Sequence, residues 1–344
     1  VTRVARDEPC AHLGGRLATG LLRVSDDPAV LDSGGWWAVV LPYDGPPVLA
    51  QFADVVESEA PAAPWVGPQP DAWRSSASRA EYVAAVDEVR ERIAAGDVYQ
   101  ANVCRVLSAD LPDVARADVA GLAALLRRGN PSPYGGFVRL PAQGVHVATA
   151  SPELFLRRAA GVVESGPIKG TGRTADDLAP KDSAENVMIV DLVRNDLGAV
   201  ARTGTVSVPH LLALEEHPGL VHLVSTVRAE LREGTTWPAL LDATFPPGSV
   251  TGAPKSSALR IIDEVERASR GPYCGAVGWV DADAGTAELA VAIRTFWLRD
   301  GSVHFGTGAG ITWGSDAARE WDETELKAAR LLQVAAGTWQ GDEP

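Results

Sequence analysis

From residue 145 onward, strand-like runs follow one another almost without interruption: VHVATA at 145–150, ELFLRR at 153–158 and a third at 162–168. Similar runs lie at 36–44, 46–53, 98–107, 220–228, 274–280 and 288–298, whereas helical patterns are confined to about 181–197, 255–268 and 315–336 and one N-terminal stretch. Strands that come in runs rather than alternating with helices fit an α+β layered domain, not a doubly wound parallel sheet.

The N-terminal helix has readable ends. Ser78 followed by Glu81 spells a capping box, Val83, Val86, Val89 and Ile93 make an apolar stripe, and Gly96 supplies the stop. Ahead of it, residues 59–80 are rich in Pro, Ala and Ser without apolar period and read as an irregular connection. After it, 98–107 alternates, with Tyr99, Ala101, Val103, Arg105 and Leu107 on one side and Gln100, Asn102 and Cys104 on the other. Polar residues on one face of such a strand either meet water or line a site.

Charge narrows the function. With 31 Lys+Arg against 45 Asp+Glu, the net charge of −14 argues against nucleic acid as a partner, because phosphates need a basic stripe. An acidic chain binds an anion only through a local device: a metal ion, a helix N-terminus or backbone N–H groups. Cys10, Cys104 and Cys274 lie far apart in no metal-binding spacing, which argues against a zinc site or a disulfide framework. No leader-like apolar core opens the chain and no run approaches the ~20 residues that span a bilayer. The expectation is a cytoplasmic protein that does not engage membranes.

Several constellations carry chemistry. Asp182 and Glu185 are spaced i, i+3 on one helix, and Glu320, Glu323 and Lys327 share a face of another. Facing each other, such helices would form an oxygen-ligand site suited to Mg²⁺; spacing alone favours two solvated faces, with Glu323–Lys327 an ordinary i, i+4 pair. GSVTGAPK (248–255) and GTGAG (306–310) match neither a dinucleotide fingerprint nor a P-loop, and read as turns whose bare N–H groups could meet a carboxylate. In PIKGT (167–171), Lys169 stands between a proline-entered strand end and a glycine turn; desolvated, its amine would be nucleophilic near neutral pH. Glu153 would serve as a general acid if burial raised its pKa, or be a strand-edge charge. His222 sits in an apolar alternating strand, as core histidines do. Arg294 follows Ala290 and Ala292 along one strand face, where small neighbours leave room for an anion.

Taken in order, GDVYQ (96–100), SPELF (151–155), PIKGT (167–171), SAENVMIVDLVRNDLG (183–198), HLVSTV (222–227), PPGSVTGAPK (246–255), CGAVGW (274–279), AIRT (292–295) and GAGIT (308–312) resemble the chorismate-utilising enzyme family. That family includes anthranilate, aminodeoxychorismate, isochorismate and salicylate synthases. The resemblance implies a layered chorismate-binding fold, with two packed β-sheets flanked by helices, like anthranilate synthase component I. It further implies that residues 1–79 form a shortened N-terminal region packing on the same fold, 80–336 the chorismate-binding catalytic domain, and 337–344 a tail.

Within the family, lysine between Ile and Gly of the PIxGT segment marks the aminodeoxychorismate synthases, where the others typically carry alanine; here that residue is Lys169. The water-activating lysine of the isochorismate and salicylate synthases falls on Gln100, so the resemblance speaks against water as nucleophile. It implies that chorismate and ammonia give 4-amino-4-deoxychorismate. Glu153 would protonate the departing 4-hydroxyl while Lys169 attacks C2, and ammonia would then add at C4 and expel the lysine. Mg²⁺ would be held by Glu185 and Glu323, with Asp182 and Glu320 nearby, to bind the ring carboxylate. Arg294 would take the pyruvyl carboxylate with the backbone around Ala309 and Gly310, Lys327 would add charge at the metal end, and His222 would meet the ring hydroxyl region. Gln100 and Gly252 complete the implied substrate site, as does Trp279, standing where the family often has tyrosine and offering one indole N–H.

The ammonia would come from a separate glutamine amidotransferase subunit, since no glutaminase nucleophile motif surrounds any of the three cysteines. Two other readings stay open: anthranilate or 2-amino-2-deoxyisochorismate synthesis, against which Lys169 speaks, and a catalytically silent glutaminase-docking subunit.

Overall fold

The computed structural model describes residues 4–172, 174, 180–217 and 220–339. Strands β1 (Cys10–Leu13), β2 (Arg16–Ser25), β3 (Trp36–Leu41), β4 (Val48–Glu57) and β5 (Arg74–Ser75) precede helix α1 (Arg79–Ala95). Then come β6 (Gln100–Asp110), α2 (Val119–Gly129), β7 (Tyr134–Leu140), β8 (Val145–Ser151), β9 (Leu154–Ala159), β10 (Val162–Gly166), β11 (Ile168–Gly172) and α3 (Pro180–Gly198). Next are β12 (Ser207–His217), β13 (Leu220–Glu230), α4 (Trp237–Thr244), β14 (Gly252–Ala253) and α5 (Lys255–Val265). The last elements are β15 (Ala276–Asp281), β16 (Thr286–Val291), β17 (Thr295–Arg299), β18 (Ser302–Ile311) and α6 (Ala317–Ala336).

The strands build two antiparallel layers. One runs β1–β7–β8–β17–β18–β6, with β5 and β14 also on β6. The other runs β4–β3–β15–β16–β9–β10–β13–β12, with β11 pairing β13 beyond β10. The α+β class and its two layers follow the expectation, with one refinement: β2 pairs both β1 and β4, so the layers form one hydrogen-bonded system.

Helices close the layers through apolar faces. Val119, Leu122 and Leu126 of α2 and Leu331 and Val334 of α6 pack with Leu107, Phe137, Phe296 and Phe305. Tyr82, Val86 and Val89 of α1 and Ile261 of α5 meet Val103 and Ile311. The largest cluster joins Val39, Val138, Leu156 and Leu289 to Ile189, Val193 and Leu197 of α3 and Leu240 of α4.

The capping box forms as read: Ser78 Oγ accepts from the Glu81 N–H at 3.3 Å, Glu81 Oε2 accepts from the Ser78 N–H at 2.9 Å, and Gly96 closes α1 at φ 84°. The run at 288–298 does not stay whole. It breaks into β16 and β17, and Arg294 in the gap adopts φ 51°. Helix α2, absent from the periodicity reading, is started by Asp118, whose carboxylate accepts from the Ala120 N–H at 2.9 Å and pairs with buried Arg139 at 2.5 Å.

Candidate active site

Glu153 and Lys169 come from the β8–β9 turn and from β11, and a third residue joins them. Lys169 Nζ donates to the Ser249 carbonyl oxygen at 3.2 Å, while the Ser249 side chain hydrogen-bonds Glu153. Glu153 is 4% exposed. Burial raises its carboxyl to about 7, against the opposing effects of the Ser249 bond, the Lys169 charge, the Ile168 N–H and Arg294. The same burial pulls the Lys169 amine below the ordinary lysine range; Glu185, Glu153 and Glu323 oppose this and Lys327 adds to it. A carboxyl near half-protonation at neutral pH, close to an amine drawn toward its neutral form, has the chemistry to serve as an acid and a nucleophile. Ser249 escaped the sequence reading. A serine inside a glycine-rich turn looks like turn chemistry until the fold shows what faces it.

Two helices frame this pair. Glu185 on α3 and Glu323 on α6 both act electrostatically on Lys169, so the structure brings the two faces of the spacing argument to one place. Lys327 pairs with Glu323 at 2.6 Å and also donates to the Gly308 carbonyl at 3.2 Å, tying α6 to the GTGAG strand β18. Glu320 is buried, and its charge contributes to raising the Tyr82 phenol of α1. The side chain of Asp182 lies outside the described residues. Among the described residues no three His, Cys, Asp or Glu side chains are grouped so as to hold a metal ion as they stand. Glu185 and Glu323 nonetheless offer oxygen donors of the kind Mg²⁺ takes, with water completing the shell.

The opposite wall is backbone-lined. Gly310 of β18 pairs Asn102 of β6, and a Cβ at Gly310 would come within 2.6 Å of Gln100 Nε2. Gln100 and Asn102 are both buried, so the polar face of this strand lines the interior. Gln100 Oε1 has no hydrogen-bond partner among protein atoms. Gly252 pairs Ala101 at φ 150°, where a Cβ would stand 2.0 Å from the Gln100 carbonyl oxygen, so the close approach of β14 to β6 requires glycine. Ala309 is buried beside Gly310.

Arg294 reaches the site by a different route from the one expected. It is not on a continuous strand face; its left-handed backbone turns the chain between β16 and β17, and its carbonyl accepts from the Ala150 N–H at 3.0 Å. Burial lowers its guanidinium, Arg330 reinforces this and Glu153 opposes it, which places Arg330 of α6 near the same spot. His222 is buried on β13 opposite Thr171 and Glu215.

Trp279, expected among the substrate contacts, packs against a different set of residues. Its ring stacks on Trp36 at 6.5 Å, Arg16 lies 4.8 Å over it, and its register partners are Ala38 and Glu288. Glu288 pairs in turn with Arg157, and the indole N–H is buried without a hydrogen-bond partner; among the described residues the ring contacts of Trp279 do not include Glu153, Lys169 or Arg294. An in-register position on β15 sends alternate side chains to opposite faces, and proximity along the sequence to CGAVG did not settle which.

A second group missed in the sequence is the pair Arg270–Glu266. The fully buried Arg270 guanidinium bonds the Val250 carbonyl at 2.9 Å and the Asn102 carbonyl at 3.3 Å, while Glu266 accepts from the Cys104 N–H at 2.8 Å. The pair thereby fastens the Ser249 turn to β6.

A family model described as chorismate binding enzyme matches residues 43–333. Aminodeoxychorismate synthase component 1 of Klebsiella aerogenes is 39% identical over 273 residues, covering 76% of this chain and 59% of that protein. Anthranilate synthase component 1 of Aquifex aeolicus is also 39% identical, over 295 residues, covering 82% of this chain and 57% of that protein. The chain thus spans less than two thirds of the length of these relatives. Among solved structures, anthranilate synthase component I of Streptococcus pneumoniae has TM-score 0.76 at 24% identity, covering 96% of this chain and 91% of that one. The menaquinone-specific isochorismate synthase of Escherichia coli has TM-score 0.78 at 18% identity, covering 96% and 89%. These two share the layered α+β fold described above. The extent of the family match and the identity to its curated members establish that the chain belongs to the chorismate-binding enzyme family.

Proposed function

We propose that the protein is an aminodeoxychorismate synthase component I, converting chorismate and ammonia to 4-amino-4-deoxychorismate. The observation that carries this reading is Lys169, a half-buried lysine whose amine is drawn below its usual range by desolvation and bonded to the turn that also holds Glu153. The 39% identity to the Klebsiella aerogenes protein agrees with it, and the equal identity to an anthranilate synthase makes the product the deciding quantity.

In the proposed sequence Glu153 gives its proton to the departing 4-hydroxyl, which leaves as water, as the neutral Lys169 amine forms a bond to C2 and the double bond shifts. Ammonia then adds at C4, the C2–N bond breaks, and the surplus proton of the incoming amine returns to Glu153. Splitting one substitution in two replaces a hard displacement by two easier ones. Arg294, with the Ala309–Gly310 backbone, is suited to the pyruvyl carboxylate, and Gln100 and His222 bound the ring. Glu185 and Glu323, with Asp182 and Glu320, would hold Mg²⁺, which when bound supplies positive charge for the ring carboxylate. Ammonia is proposed to come from a separate glutamine amidotransferase.

The test is to incubate the protein with chorismate, Mg²⁺ and ammonium, add an aminodeoxychorismate lyase, and identify the aromatic product. para-Aminobenzoate supports the reading. Anthranilate formed without the lyase would replace it with anthranilate synthesis, and unchanged chorismate would point to a silent docking subunit.

A further inference from the structure

Beside Glu153 lies a chamber of about 20 Å³ whose wall includes Glu153, Ser165, Ser249 and, on α3, Asp196. The rest of the wall is largely apolar, with Leu156, Val193 and Val291 among it. Asp196 is held by Lys255 of α5: Nζ lies 2.7 Å from Oδ2, and the same amine donates to the Thr244 carbonyl at 2.9 Å. The two side chains are 11% and 16% exposed, so this ion pair is largely shielded from bulk solvent. A cavity of this size accommodates one water, and the wall residues Glu153, Ser165, Asp196 and Ser249 carry carboxyl and hydroxyl groups of the kind a buried water takes as its two to four partners.

We propose that the chamber holds a water that hydrogen-bonds the Glu153 carboxyl and couples it to the Asp196–Lys255 ion pair, making Asp196 a positioning residue that sets when Glu153 carries its proton. The inference rests on the reading of Glu153 as the general acid. Other charges that face Glu153 are Lys169 from β11 and Arg294 from the β16–β17 connection, both favouring the carboxylate against burial. Asp196 is itself raised by burial and lowered by Lys255. As an ion pair, Asp196 and Lys255 present no net charge. With Asp196 neutralised, the remaining Lys255 charge stabilises the Glu153 carboxylate, and the acid loses its proton at lower pH. Filling the chamber instead removes the water's hydrogen bond to the carboxylate, and the proton is held to higher pH.

The two variants Asp196→Asn and Ser165→Val therefore shift Glu153 in opposite directions. The Glu153 carboxyl is titrated directly by ¹³C NMR on glutamate-labelled protein, its resonance identified by its loss in Glu153→Gln, and the pH profile of kcat/KM for chorismate consumption is recorded in parallel. Asp196→Asn is expected to lower the NMR midpoint and the alkaline limb by ~1 pH unit, and Ser165→Val to raise both by ~0.5 unit. A general loss of packing would lower the rate at every pH without moving either midpoint. Midpoints unmoved in folded variants overturn the proposal, as do shifts of the same sign. Should Asp196→Asn fail to fold, Ser165→Val decides alone. NMR midpoints that shift in a protein that does not consume chorismate uphold the coupling and overturn only the general-acid reading.

Discussion

Lys169 Nζ lies 3.2 Å from the carbonyl oxygen of Ser249, and that serine's side chain is bonded to Glu153. One residue therefore sits between the proposed nucleophile and the proposed acid, with its backbone serving one and its hydroxyl the other. Arg270 and Glu266 brace the turn that carries it against β6. Ser249→Ala keeps the carbonyl and removes the hydroxyl, so Lys169 remains bonded while Glu153 loses a hydrogen bond to its charged form. The expected loss is about 10- to 100-fold in kcat/KM, with the Glu153 limb of the pH profile moved upward.

Lys169→Ala is expected to abolish formation of 4-amino-4-deoxychorismate while leaving chorismate binding measurable by calorimetry. Undiminished amination by this variant, followed by chromatography of the products, would falsify the covalent route.

The raised carboxyl of Glu153 also makes a stability prediction. In the unfolded chain it titrates near 4.5, and in the folded protein near 7. Between those values the folded state holds the extra proton, so stability falls as pH rises. The penalty is absent below about pH 4.5, complete above about pH 7, and of the order of 3 kcal/mol. Glu153→Gln, inactive by expectation, should exceed the wild type in stability at pH 8 and lose that advantage toward pH 5; urea denaturation at both values measures it.

Removal of metal is expected to stop turnover. EDTA should abolish chorismate consumption and added Mg²⁺ restore it, while Glu185→Ala and Glu323→Ala should raise the Mg²⁺ requirement at least tenfold. Full activity in EDTA would remove these two carboxylates from a metal role.

Trp279→Phe tests whether the indole meets the substrate. On a face with Trp36 and Arg16, the change should leave kcat/KM within about twofold. A tenfold loss would return the indole to the substrate.

Legibility in the sequence followed the range of the forces involved. Local chemistry was readable: the Ser78–Glu81 box started α1 where expected, and α3, α5 and α6 begin within two residues of their expected positions. Long apolar runs gave strands, but the break at Arg294 depends on a backbone conformation that no period reports. Helix α2 was missed because VAGLAALLRRG has few polar punctuation marks and is defined by a cap, Asp118, whose other role is a buried pair with Arg139 from β7. In the candidate site, Glu153, Lys169 and Arg294 stand out in the sequence by residue type, whereas Ser249 and Arg270 matter through what the fold places beside them.

The double pairing of β2 bears on where this molecule can be cut. The family match begins at residue 43, yet β1 and β3, which precede it, cover the flanks of β7 and β15. A fragment trimmed to the family boundary would carry bare strand edges on β7 and β15 and lose the stitch between its layers. Such edges invite pairing between molecules. Residues 10–41 are thus a seam, and a trimmed unit should be recovered as aggregate rather than as a smaller soluble protein.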